Sequence, residues 1–220
     1  MRSIIGVATD DPLSRHTFSG LSANLFGEMQ RQGIAVDSMA TRDLRWHDIL
    51  RGAVRVTKFF QRHNRKTSRI DPDWYWSRRT HELMTQRFHA RLRSRVSNAT
   101  ILQVGTHVQA AGEGRQVFCI TDLTVTQALR AGSTYQIGRA SKPIQREAFE
   151  WQREVFAACE RIFVLSEWAK ESVVKDYGIA AYKVTTVGAG ANVPSVLPAR
   201  RRNLTHPTIL FVGLDWEQKG

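Results

Sequence analysis

The chain has no apolar run approaching the roughly 18 residues that cross a bilayer as a helix. Its opening, MRSIIGVATDD, has too short an apolar stretch for a signal peptide and no small-residue cleavage site. Two cysteines, Cys119 and Cys159, make no disulfide framework and read as buried thiols of a cytoplasmic protein. The seven histidines (His16, His47, His63, His81, His89, His107 and His206) keep no metal-ligand spacing, and HExxH and CxxC are missing. No metal is therefore expected. GxGxxG, the P-loop pattern and the GxSxG elbow are missing as well. Dinucleotide, P-loop and hydrolase readings thus lose their usual support.

Acids are scarce in one region. Between Arg51 and Arg95 thirteen Lys/Arg face only Asp71, Asp73 and Glu82, which places a net +10 of the chain's +12 there. Such a block attracts phosphate-rich partners: nucleic acid, anionic lipid or a phosphorylated substrate. Helix-turn-helix, RNP and KH patterns do not accompany it, which disfavours nucleic acid. Arginines on amphipathic helices are most simply a solvated face. Their density, with Trp74, Tyr75 and Trp76 among them, adds an interfacial or phosphate-binding role as the alternative.

What is present suits a globular core: 42% hydrophobic residues and 15 glycines. A short apolar run, residues 3 to 8 (SIIGVA), ends in the turn residues Thr9-Asp10-Asp11-Pro12. A loop follows, then a helical pattern from Leu21 to Gln32 with Leu21, Leu25, Phe26 and Met29 on one face and Gly33 as C-cap. Residues 34 to 39 give a second strand. Strand, loop, helix and strand in this order are the βαβ unit of a parallel doubly wound sheet. The basic region, residues 46 to 96, predicts two long helices broken near Asp71-Pro72-Asp73. Strands are predicted at 100–104 and 116–121, a helix at 124–131, and an amphipathic helix at 147–160 that turns Phe149, Trp151, Val155, Phe156 and Cys159 inward. A strand from Arg161 ends at Ser166, the expected N-cap of a helix closed by Gly178, with Lys175 in its last turn. A last strand at 183–187 leads into the turn Gly188-Ala189-Gly190. The fold class expected is α/β, a Rossmann-like doubly wound parallel sheet with a basic helical insertion.

In such sheets ligands bind beyond the carboxyl ends of the strands, where loop amides and a helix N-terminus meet them. The loop Arg15 to Gly20 (RHTFSG) lies there, and Ser19-Gly20 could bring backbone close to a substrate. His16 belongs to the same loop. Asp122, closing QVFCITD, faces the same crevice, where it could accept a hydrogen bond from a sugar hydroxyl or act as a base. Its plainer role is N-cap of the next helix, with Thr124 helping. Residues 193 to 207 hold three prolines and no periodicity and read as a linker. Thr208 to Gly220 (TILFVGLDWEQKG) reads as a buried strand, the loop glycine Gly213 and the opening of a helix that would carry Lys219 toward a diphosphate.

The stretch from Ile162 to Val193, the linker and ILFVGLDWEQKG resemble the middle of family 4 retaining glycosyltransferases of GT-B fold. Shared are a strand ending in Ser, a helix closed by Tyr-Gly, a Lys-Val strand, a Gly-containing turn, Asn-Val, and then Phe-Val-Gly with Glu-x-Lys-Gly. The resemblance implies an acceptor-binding domain over residues 1–192, a linker over 193–207, and at 208–220 the first strand and loop of a donor domain. It implies sugar transfer from a nucleotide-sugar to a glycan or lipid-linked acceptor, with the nucleotide-sugar as co-substrate and no metal or other cofactor. Ser19 and Gly20, with His16 beside them, match the glycine loop near acceptor and donor phosphate. Asp122 sits where many members have a His or Asp beside the reacting sugar, and Gly213 and Lys219 match the donor-phosphate loop. Leu214 departs from the pattern, standing where many members place an Arg. The paired-glutamate motif would lie past Gly220, so the expectation is a chain that binds acceptor weakly and transfers nothing alone. The setting implied is the cytoplasmic membrane face, with Arg51 to Arg95 against anionic lipid. The alternatives are a non-catalytic basic module for nucleic acid or membrane, and a different GT-B enzyme.

Overall fold

The computed structural model describes residues 3–41, 71–95, 99–112 and 114–190. Six strands form one sheet: β1 (Ser3–Ala8), β2 (Ala35–Ala40), β3 (Thr100–Val104), β4 (Val117–Thr121), β5 (Arg161–Val164) and β6 (Val184–Thr186). All pairings are parallel and the order is β2-β1-β3-β4-β5-β6. From β1 the chain first runs outward to β2, then returns across β1 to β3 and continues to β6. This reversal makes the gap between β1 and β3 the switch point of a Rossmann-like, doubly wound α/β fold.

The strands alternate faces, and each face meets different helices. Helix α1 (Leu21–Arg31) lays Phe26 on the face of Ala8, Leu102, Val104 and Ile120. Gly6 allows this approach, since a Cβ there would stand 2.7 Å from the Phe26 ring. The opposite face, carrying Ile5, Val7, Ile101, Val117, Cys119, Ile162 and Val164, is covered by α3 (Arg78–Leu92), α5 (Lys142–Ala158) and α6 (Glu167–Lys175). Two shorter helices, α2 (Pro72–Trp76) and α4 (Val125–Arg130), pack at the edges of that layer. Among the described residues no helix is long and apolar enough to cross a membrane.

Three expected boundaries move, each for a local reason. The second basic helix is two pieces, α2 and α3. Asp71 caps α2, accepting from Asp73 N at 3.0 Å with Pro72 in the first turn, and Ser77 breaks the run with extended backbone and caps α3. The amphipathic helix starts at Lys142 rather than Glu147, because Pro143 fits the first turn, where no intrahelical N–H is needed. Cys159 is the residue after α5, still fully buried against the sheet. Ser166 caps α6 as its sequence predicts, accepting from Ala169 N at 3.1 Å. Residues 46–70, the linker at 193–207 and the stretch 208–220 lie outside the described residues.

Candidate functional site

The loop after β1 is built to hold an unusual backbone. Asp11 starts it, its carboxylate accepting from Leu13 N at 3.0 Å and its carbonyl from Thr17 Oγ1 at 2.7 Å. The chain then makes a tight turn, Thr17–Gly20, in which Phe18 (φ 48°), Ser19 (φ 53°) and Gly20 (φ 83°) are all left-handed. Gly20 adopts this freely, whereas a bulky Phe and a Ser there cost on the order of 1 kcal/mol or more each. The strained pair delivers the chain into α1, whose N-terminus has no side-chain cap. Its first amides face the carboxyl edge of the sheet. His16 and Ser19 are exposed and Gly20 is buried. All three lie in the loop between β1 and α1.

The second wall is the loop after β3, which sequence reasoning passed over. Gly105 turns it with φ +82°, and a Cβ on Gly105 would meet both Phe18 and His107 at 3.3 Å. His107 Nδ1 lies 3.1 Å from Thr9 Oγ1, tying this loop to the end of β1. Thr106 is held from behind by α5: its carbonyl accepts from Trp151 Nε1 at 2.8 Å and its hydroxyl oxygen from Gln152 Nε2 at 3.0 Å. The loops flanking the switch point are thus pinned to each other and to the helical layer. Seven scattered histidines gave no reason to choose His107; its place one turn past a buried strand was the available signal.

Asp122 follows β4 and is exposed. Its plainer role passes to another residue. Thr124 caps α4 in a reciprocal box, accepting from Gln127 N at 3.2 Å while Gln127 Oε1 accepts from Thr124 N at 3.0 Å. Asp122 is left at the carboxyl edge, two strands from the β1 loop, roughly 10 Å away by sheet spacing. The structure therefore sets Ser19, Gly20 and Asp122 along one edge rather than at one point. Gly213 and Lys219 lie outside the described residues.

Behind the crevice stands a cluster of rings. The centroids of Trp76, His81 and His107 are 6.0 to 6.2 Å apart. Tyr75 is 5.8 Å from His107, and Trp151 is 5.2 Å from His81. Trp74, Tyr75 and Trp76 thus belong to the packed layer: Tyr75 is buried and its neighbours lie half-buried against the core. The nearest charge of the basic region is also engaged. Arg78 makes a two-pronged pair with Glu154 (2.9 and 2.8 Å), a third bond to Glu82 (2.9 Å), and lies over the Trp151 ring. The carboxylates raise the already high guanidinium pKa, and Arg78 in turn holds Glu154 below the usual carboxylate range. Arg95 pairs with Asp37, and Arg91 donates to the Ala40 carbonyl at 2.9 Å. Among the described residues no group of three or more His, Cys, Asp and Glu is placed to hold a metal.

Comparisons with family models and with curated protein sequences find no match to this chain.

Proposed function

We propose that this chain is the acceptor-binding part of a retaining glycosyltransferase that takes its sugar from a nucleotide-sugar and passes it to a glycan or lipid-linked acceptor. The observation that carries the reading is the strained left-handed turn Phe18-Ser19-Gly20 at the switch point. Backbone of this kind persists where the fold over-determines it, and it gathers at ligand clamps. The turn leads directly into the end of α1 that no side chain caps, and beside it the hydrogen bond of Thr9 with His107 ties the β1 and β3 loops together across the switch point. The glycosyltransferase resemblance of the sequence supplies the chemistry. In the transfer the bond from the sugar's anomeric carbon to the diphosphate breaks, one to the acceptor oxygen forms, and the acceptor hydroxyl's proton passes to the leaving diphosphate. Asp122, exposed at the same edge, is the carboxylate to receive a sugar hydroxyl's hydrogen bond. Gly213 and Lys219 are the proposed contacts to the leaving diphosphate.

Saturation-transfer NMR of the chain against neutral glycans, short-tailed lipid-linked glycans and nucleotide-sugars tests this. The expected result is enhancement for glycans, weakened about tenfold or more by Ser19→Ala and by Asp122→Asn with the fold retained. Absence of glycan binding, together with RNA or DNA binding whose affinity falls steeply with salt, would replace it with the basic binding module.

A further inference from the structure

His81 is a residue that the fold alone does not ask for. It sits on α3 with 2% of its surface exposed, and among the described residues neither ring nitrogen has a hydrogen-bond partner. The indole Nε1 of Trp76, whose ring is 6.1 Å from His81 and nearly perpendicular to it, is buried and unpartnered too. Burying such groups without partners opposes folding, and a phenyl ring would make the same edge and face contacts with Trp76 and Trp151 without that cost. Position gives the imidazole a use. His81 lies directly behind His107, with centroids 6.2 Å apart, and His107 is the wall residue that meets Thr9 across the switch point. Trp76 and His107, whose rings pack against that of His81, are themselves only half-buried.

We propose that His81 and Trp76 form a recognition subsite for one neutral hydroxyl group of the ligand bound in the switch-point crevice, and so set which sugar hydroxyl the protein requires. The choice of a neutral hydroxyl follows from the donor set. A neutral imidazole supplies one donor and one acceptor and the indole one donor, which complements an alcohol, itself both donor and acceptor. Burial, and secondarily the neighbouring His107, push His81 down to about 3, so it brings no positive charge for a phosphate or carboxylate. The cation nearby, Arg78, is committed to Glu82 and Glu154. An ammonium group would find no carboxylate among these rings. The rings beside the imidazole are Trp76 and Trp151, with Tyr75 packed edge-on to Trp76, and such aromatic walls suit the apolar body of a ligand whose few polar groups need placing. Assigning the hydroxyl to a sugar rests on the glycosyltransferase reading.

The test uses the whole chain and a panel of methyl hexopyranosides with their monodeoxy analogues, measured by saturation-transfer NMR and titration. In the wild type one hexopyranoside binds, and removal of one particular hydroxyl weakens it about tenfold or more. His81→Phe is expected to bind the parent sugar as weakly as the wild type binds that deoxy sugar, and to lose discrimination between the two. At the same time its Tm should rise by about 2 °C or more, since an unsatisfied buried imidazole has been removed. Trp76→Phe, which keeps an aromatic ring and removes one donor, should lose part of the discrimination and serves if His81→Phe does not fold. Variants that still distinguish parent from deoxy sugar as the wild type does would overturn the subsite and leave the glycosyltransferase reading standing. Failure of the wild type to bind any hexopyranoside would overturn both.

Discussion

On the α1 face of the sheet, Phe26 rests on Gly6 and against Leu102, Val104 and Ile120, and apolar contact joins helix to strands. On the other face, His81 of α3, Trp76 of α2, Gln103 of β3, Cys119 of β4 and Cys159 just past α5 lie in or beside the same core as Phe88, Leu92, Val155 and Phe156. The Cys119 thiol is unreactive in this setting, because hydrogen bonding with the neighbouring Cys159, and then burial, push its pKa well up. One face is a packing surface with a single large anchor. The other is a packing surface that also holds polar groups without partners, next to the loops that flank the switch point. Natural cores depart from good packing where function requires it, so on the proposed reading the face carrying His81 and Trp76 is the one that serves the ligand.

The comparison can be broken at its strongest point first. Phe26→Ala should cost about 3–5 kcal/mol, because a fully buried ring leaves a cavity over Gly6 that the backbone cannot collapse to fill. Urea unfolding followed by circular dichroism measures it, and a loss under about 1 kcal/mol would mean that α1 is not the anchor of its face. Acid should then act through the opposite face. His81 is pushed down to about 3 from the ordinary 6.5, so between those values the unfolded chain takes up a proton that the folded one refuses. Its contribution to stability is whole above about 6.5 and drains as pH falls toward 3, at up to about 1.4 kcal/mol per pH unit. His81→Phe should flatten that slope relative to the wild type; parallel pH profiles for the two would show the imidazole to be solvated. The smallest effect is expected at the rim. Arg78→Met removes bonds to Glu82 and Glu154 that remain partly exposed to water, and should cost about 1 kcal/mol or less, most visibly at low salt.

Much of the fold was legible. The short apolar stretches at 3–8, 100–104 and 116–121 became strands, the last beginning at Val117, because a parallel sheet buries so short an apolar stretch on both sides. Thr124, Ser166 and Gly178 marked helix ends through chemistry that acts within four residues. The misreadings came from features whose meaning depends on the third dimension. Trp74, Tyr75 and Trp76 among arginines suggested an interfacial face, yet they lie in or against the core, since His107, the ring that Tyr75 and Trp76 meet, comes from a segment that sequence spacing cannot connect to them. Of the site, the loop carrying His16, Ser19 and Gly20 and the acid Asp122 were visible because strand ends fix where loops emerge. His81 and His107 were not visible, because a histidine alone on a helix or in a loop carries no local signal.

By itself the sequence determined the parallel α/β sheet, the left-handed opportunity at Gly20 and the concentration of positive charge, all of which follow from side chains acting on neighbours a few residues away. The tertiary structure alone decided that the switch point lies between β1 and β3, that Thr9 meets His107 across it, and that His81 is buried without a partner behind them. Those facts depend on the order in which strands are laid into the sheet. That order is set by the packing of whole helices rather than by any local preference.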